Sequence, residues 1–155
     1  MNSLIRVGLS TCGLAAGAEA TYLALNEQIR QRNLAVTLQR TGCVGACHRE
    51  PLVEVVRNGT TTLFGPVQTG DVAALLDSLY GPTTTPVDPA PVVSRRADYS
   101  DYPFLGRQVK VTTQLCGLID PHSLEDYLAH DGYQGFRLAL NMAPEKVIQI
   151  VKDSR

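Results

Sequence analysis

The sequence predicts an α/β fold: a four-stranded mixed sheet with two helices over residues 1–81, a proline-rich linker over 82–104, and a partial α/β segment over 105–155. Three observations predict it. Short apolar runs alternate with stretches of helical periodicity. Asn58-Gly59 stands between two strand-like runs, and Asn-Gly favours a tight hairpin because both residues tolerate positive φ. Pro82, Pro86, Pro89 and Pro91 fall within ten residues and break all periodicity.

Each element has a local reason. Residues 4–9 are short, apolar and bounded by Ser10, so they read as a first strand. From Ala15 onward helix formers dominate. Ala18, Tyr22, Leu25 and Ile29 recur at helical spacing as one buried stripe, which the polar Arg30-Gln31-Arg32-Asn33 ends. Val36 and Leu38 alternate with Thr37 and Gln39, giving a second strand. Residues 52–57 and 60–64 flank the hairpin turn. Val72, Leu75, Leu76 and Leu79 form the next amphipathic helix, with Thr69 or Asp71 as its cap and Gly81 at its end. The order β-α-β-β-β-α, with a right-handed crossover, suits a thioredoxin-like layer.

The linker reads as an extended, semi-rigid spacer. Within it Tyr99, Tyr102 and Phe104 form an aromatic group, expected to pack on the chain's own second domain. Beyond it Val109, Val111 and Leu115 suggest a strand that Cys116 ends. Asp120-Pro121 suggests a helix start, Leu124, Tyr127 and Leu128 continue that helix, and Gly132 ends it. Ala143-Pro144-Glu145 begins another helix carrying Val147, Ile148 and Val151. These faces have little core of their own, so residues 105–155 read as the truncated opening of a larger domain.

Composition excludes several classes. The 155 residues carry 14 Lys and Arg against 15 Asp and Glu, so no basic face for nucleic acid is expected. No apolar run approaches the roughly 20 residues that span a bilayer. The N-terminus lacks a charged region followed by a long apolar one, so no export signal is expected and the location reads as cytoplasmic, including the cytoplasmic face of a membrane complex. In a reducing compartment, thiol, metal or redox use of cysteine is favoured over structural disulfides.

The cysteines carry the chemistry. Cys12 lies in Ser10-Thr11-Cys12-Gly13-Leu14, and Cys43 and Cys47 lie in Thr41-Gly42-Cys43-Val44-Gly45-Ala46-Cys47-His48. A short apolar run precedes each group, so each is expected on a loop just after a strand. Such loops converge at one sheet edge, where an iron–sulfur cluster or a redox pair would sit. Gly13, Gly42, Gly45 and Ala46 are small enough to let the backbone approach bridging sulfides. A [2Fe–2S] cluster takes four ligands, and three thiols are present. Rival readings stay open: a degenerate module with free thiols, a Cys43–Cys47 redox pair, or zinc held by Cys12, Cys43, Cys47 and His48. The familiar redox spacing is C-x-x-C, and adjacent Cys47 and His48 seldom point at one ion. Cys116 reads as a lone buried structural thiol. His122 and His130 read as exposed or capping, and Arg95, Arg96 and Arg107 as solvated. No residue is assigned a catalytic role.

At these residues the chain resembles a known family. Residues 10–18 (Ser-Thr-Cys-Gly-Leu-Ala-Ala-Gly-Ala), 41–47 (Thr-Gly-Cys-Val-Gly-Ala-Cys) and Glu50-Pro51-Leu52-Val53 look like the thioredoxin-like ferredoxin module. That module opens the NADH-binding flavoprotein subunits of bacterial NADH-dependent hydrogenases, formate dehydrogenases and complex I relatives. Residues 107–153 are similar to the stretch that opens the flavoprotein domain proper, through Cys116-Gly117-Leu118-Ile119-Asp120-Pro121, residues 127–133 (Tyr-Leu-Ala-His-Asp-Gly-Tyr) and Pro144-Glu145-Lys146-Val147-Ile148. The family's ferredoxin pattern is C-x4-C followed by C-x3-C. The resemblance implies that Cys12, Cys43 and Cys47 are three of the [2Fe–2S] iron ligands and that Val7 stands at the fourth position. Valine cannot bind iron, which leaves Ser10, Thr11 and His48 as nearby substitute donors.

The resemblance further implies an electron-transfer subunit that oxidises NADH through FMN and passes electrons to iron–sulfur centres, beside partners such as a ferredoxin-like [2Fe–2S] subunit. The FMN, NAD and [4Fe–4S] machinery would lie beyond Arg155, and no G-x-G-x-x-G occurs in the chain. One alternative is a cluster-less docking module that holds the ferredoxin-like partner. A weaker one is a thiol–disulfide oxidoreductase.

Overall fold

The structure is a computed structural model that describes residues 3–81, 90–95 and 99–154. Residues 82–89 of the expected spacer, and Arg96, lie outside the described residues. In β1 (Ser3–Gly8) Ile5 and Val7 are fully buried while Leu4 and Arg6 are half-buried, the alternation of a pleated strand. A short helix follows, α1 (Thr11–Ala15), and then α2 (Ala18–Gln31). Gly17, at φ +94°, separates them in the left-handed conformation that glycine adopts without a Cβ clash. Cys12 was expected on a loop and instead stands in the first turn of α1.

The buried stripe of α2 is Ala18, Thr21, Leu25 and Ile29. Thr21 takes the inward place expected for Tyr22 because its hydroxyl donates to the Val67 carbonyl at 3.0 Å. Tyr22 is half-buried at the margin, with the Arg40 guanidinium over its ring. Next come β2 (Val36–Thr41), β3 (Val53–Arg57) and β4 (Thr60–Phe64). The β3–β4 hairpin turns through Asn58 and Gly59, both at positive φ as expected. A 3₁₀ turn at Thr69–Asp71, closed by a reciprocal Gln68–Asp71 capping box, leads into α3 (Val72–Tyr80).

The sheet has five strands, one more than expected. Its order is β2-β1-β3-β4-β5, with β1 and β2 parallel and the other pairs antiparallel. The fifth, β5 (Val92–Ser94), falls in the stretch read as linker. It covers the β4 edge, which would otherwise present unpaired backbone groups. The expected strand around Val109, Val111 and Leu115 does not form. Val109 and Val111 are 89% and 73% exposed, and β5 already occupies the β4 edge. Cys116 therefore lies in a turn and is half-buried rather than buried.

Both faces of the sheet are covered. Leu25 and Ile29 of α2 and Val72, Leu75 and Leu76 of α3 pack with Ile5, Val7, Val53 and Phe64 on one face. On the other, Leu63 and Val93 meet Val44, Ala46, Leu52 and Leu105, with Tyr99 and Tyr102 against them. The aromatic group was expected on the second domain. Tyr99 and Tyr102 instead cover the helix-free face of this sheet, because its interior carboxylate offers a partner there. Glu54, 5% exposed, takes the Arg6 guanidinium at 2.5 Å and a hydrogen bond from the Tyr99 hydroxyl.

Burial, reinforced by Glu54, raises the Tyr99 hydroxyl above its ordinary pKa of 10.0. The folded state then keeps a proton that an unfolded tyrosine releases, so stability is full below pH 10 and is lost as pH rises above it. Tyr99→Phe is expected to remove this loss. In urea melts the wild-type chain should fall relative to the variant by up to about 1.4 kcal/mol per pH unit above that point. Parallel pH dependences would refute the assignment.

The chain divides into two compact units, Met1–Asp120 and Pro121–Arg155. The second contains α4 (Leu124–Ala129), α5 (Gln134–Leu140) and α6 (Pro144–Asp153). The expected Asp120-Pro121 helix start moves to Ser123, whose hydroxyl accepts from the Asp126 N–H at 3.0 Å. Pro144 takes the first turn of α6 as expected. His130 follows α4, its ring 2.8 Å from the Asp126 carbonyl, in keeping with a capping role, and His122 is exposed. No helix among the described residues is long and apolar enough to cross a membrane.

Candidate metal centre

The parallel pairing of β1 with β2 brings Gly8 and Thr41 into register at the ends of their strands, and the Leu9 N–H extends it by donating to the Thr41 carbonyl at 2.9 Å. The segments that leave the two strands therefore emerge at one edge of the sheet. Cys12 comes from α1, Cys43 from the loop after β2, and Cys47 from a 3₁₀ turn at Cys47–Arg49. Their three sulfurs lie within 4.8 Å of one another. The convergence expected of the three cysteines is therefore present.

The loop is shaped around them. Gly45, at φ +102°, reverses the chain so that its N–H donates to the Cys43 sulfur at 3.2 Å. The Cys43 and Cys47 sulfurs are 3.5 Å apart, far beyond the roughly 2.05 Å of a disulfide. The Ser10 hydroxyl lies 3.4 Å from the Cys12 sulfur. Burial pushes the Cys12 thiol up, but hydrogen bonds from Ser10, Cys43 and Cys47 outweigh it and the net shift is downward. Cys43 is pushed up to about 12, first by burial and then by the neighbouring thiols, against the Gly45 N–H.

The substitute donors divide. Val7 is fully buried in the main core, so the β1 position that the resemblance assigns to a ligand offers no donor. The hydroxyl of Ser10 reaches the Cys12 sulfur, and Thr11 is exposed. His48 turns away: its Nε2 lies 2.8 Å from the Tyr102 hydroxyl and its ring meets Phe104 edge-on, outside the thiol group. That arrangement does not supply the fourth zinc donor.

Sequence reasoning missed Glu50. It is 8% exposed, with Oε1 3.9 Å from the Cys12 sulfur and Oε2 accepting the Leu52 N–H at 2.8 Å. Glycines make room for it. A Cβ on Gly8 would stand 3.2 Å from Oε1, and one on Gly13 would stand 3.3 Å from Oε2. Burial raises the Glu50 carboxyl above its ordinary range, against hydrogen bonds from Leu52, Cys43 and Cys12. The available signal was a charged residue leading straight into the apolar Pro51-Leu52-Val53.

No family model matches the chain. Among solved structures it is similar to a thioredoxin-like [2Fe–2S] ferredoxin from Aquifex aeolicus. A cysteine-to-serine variant of that protein gives a TM-score of 0.50 at 23% identity, covering 59% of this chain and 98% of that one. The wild-type ferredoxin gives 0.48 at 24%, covering 59% and 96%. The fold is thioredoxin-like. Among curated proteins, this thioredoxin-like chain is 44% identical over 48 residues to the NADP-reducing hydrogenase subunit HndC of Solidesulfovibrio fructosivorans, covering 31% of this chain and 10% of that protein. It is 31% identical over 67 residues to subunit HndB of the same organism, covering 42% and 53%. The matches thus span about half of one curated relative and a tenth of the other.

Proposed function

We propose that this chain is the N-terminal portion of an electron-transfer subunit in an NADH-dependent oxidoreductase of the NADH dehydrogenase, formate dehydrogenase or hydrogenase type. Its thioredoxin-like unit holds a [2Fe–2S] cluster through Cys12, Cys43 and Cys47. The observation that carries this reading is the meeting of three thiols within 4.8 Å at one end of a thioredoxin-like sheet. The similarity to two differently named subunits of one hydrogenase supports a place in a multi-subunit complex. A ferredoxin-like [2Fe–2S] subunit is the partner this reading favours. FMN, NAD and the [4Fe–4S] centre belong to the rest of the parent subunit.

The donor set fits an iron–sulfur group: soft thiols, backed by small residues and a backbone N–H aimed at sulfur. When bound, such a cluster supplies a one-electron carrier. The chain's own residues do the rest. The Gly45 N–H stabilises negative charge on Cys43, the buried Val44 and Ala46 exclude water from behind the loop, and exposed Cys47 marks the side facing a partner.

Anaerobic reconstitution with ferrous iron and sulfide tests this. The wild-type chain is expected to gain iron and sulfide in the [2Fe–2S] ratio, visible charge-transfer absorption, and an EPR signal after dithionite. Cys43→Ser should lose most of all three. A folded wild-type chain that takes up neither element would overturn the cluster. It would favour the second reading, a docking module without a cluster, which rests on Val7 at the fourth position.

A further inference from the structure

We propose that Glu50 is the fourth donor, so that the centre is held by three thiolates and one carboxylate. The inference rests on the proposed cluster and deepens it.

Two donor pairs have ligand spacing. Two thiolates on one tetrahedral ion, with metal–sulfur bonds of about 2.3 Å, sit roughly 3.8 Å apart, and a thiolate and a carboxylate oxygen roughly 3.6 Å apart. Cys43 and Cys47 are 3.5 Å apart, and Cys12 and Glu50 Oε1 are 3.9 Å apart. Each pair is already spaced for one iron. A [2Fe–2S] cluster has two irons with two protein ligands each, a count that Cys12, Cys43, Cys47 and Glu50 together meet.

The carboxylate is also held for the task. The Leu52 N–H engages Oε2, which leaves Oε1 facing Cys12 as a single-oxygen donor. Glu50 is more than nine-tenths buried, yet among the described residues the salt bridges are Arg6–Glu54 and Arg32–Asp77, so no cation offsets its charge. A buried carboxylate without a cation is costly, and a metal ion is one of the few partners that repays the burial. Its position fits as well. It lies against Gly8, the residue after Val7, and so delivers an oxygen to the end of the strand whose own side chain cannot bind iron. Net ligand charge stays that of four thiolates.

The test compares wild type with Glu50→Gln after anaerobic reconstitution. Glutamine keeps an oxygen for the Leu52 N–H, so the metal-free variant is expected to melt at the wild-type temperature. Its iron affinity is expected to fall roughly 10- to 100-fold. In wild type, Mössbauer spectra are expected to show two inequivalent irons, with the inequivalence altered in the variant. Full iron and sulfide uptake by Glu50→Gln with an unchanged spectrum overturns the role of Glu50 and leaves the cluster intact. No uptake by wild type overturns both. Electron–nuclear double resonance on the reduced wild-type cluster, with carboxyl-labelled glutamate, decides independently of how the variant folds. Coupling to the labelled carbon supports Glu50, and coupling to solvent oxygen alone overturns it.

Discussion

Glu54→Ala is expected to cost the thioredoxin-like unit about 3 kcal/mol of stability, because it leaves a largely desolvated, half-buried cation without its partner. The side chains of Glu54 and Arg6 are only 7% and 19% exposed, and they meet at 2.5 Å between β1 and β3. Arg6 would keep its desolvation cost and lose its main compensation. The remaining bond from its Nε to Gln39, at 3.3 Å, does not neutralise the charge. The Tyr99 hydroxyl would lose its acceptor as well, which adds the cost of an unsatisfied donor. Replacing both charges, in Arg6→Met with Glu54→Met, is expected to recover much of the loss, since apolar pairs of similar volume often match a buried ion pair. Urea melts of the two single variants and the double one measure the coupling. A single-variant loss under about 1 kcal/mol would place the pair among weak surface bridges and refute its structural role.

The same residues show what could be read from the chain. Each part legible in the sequence was local. The strand alternation of β1, the helical stripe of α3 and the Asn58-Gly59 turn depend on neighbours within a few positions. The three cysteines were legible as a group because strand–loop spacing alone sends them to one edge. What stayed hidden was decided across the fold. Val92–Ser94 and the stretch around Val109 both alternate weakly, but only the first meets an unpaired strand edge. Tyr99 was expected on the second domain because nothing nearby in sequence announces the buried carboxylate of Glu54. Glu50 had the same problem. Its environment is made by Gly8 and Gly13, some forty residues earlier, and by a side chain that folds back over them.

That dependence on two glycines can be tested directly. Gly13→Ala is expected to weaken the centre while leaving the sheet folded. Local propensity argues the other way: inside a helix, alanine is favoured over glycine by about 1 kcal/mol. Sterics decide against it. A Cβ on Gly13 would stand 2.2 Å from the Gly8 carbonyl oxygen and 3.3 Å from Glu50 Oε2. The first contact is to strand backbone, which cannot rotate aside, so α1 must move away from the end of β1. Cys12 is the preceding residue and moves with it, and Glu50 loses its cradle. Forcing a methyl group into a packed site costs about 1–3 kcal/mol, which cancels or exceeds the propensity gain. Displacing one ligand and its neighbour should lower iron affinity roughly 10- to 100-fold. Gly70→Ala is the control, since nothing lies within 4 Å of its added methyl group. Thermal melts and iron uptake should separate the two variants. A Gly13→Ala chain that melts at or above the wild-type temperature and binds iron equally well would mean that α1 can shift without moving Cys12, and that the glycine is not what sets the spacing of the site.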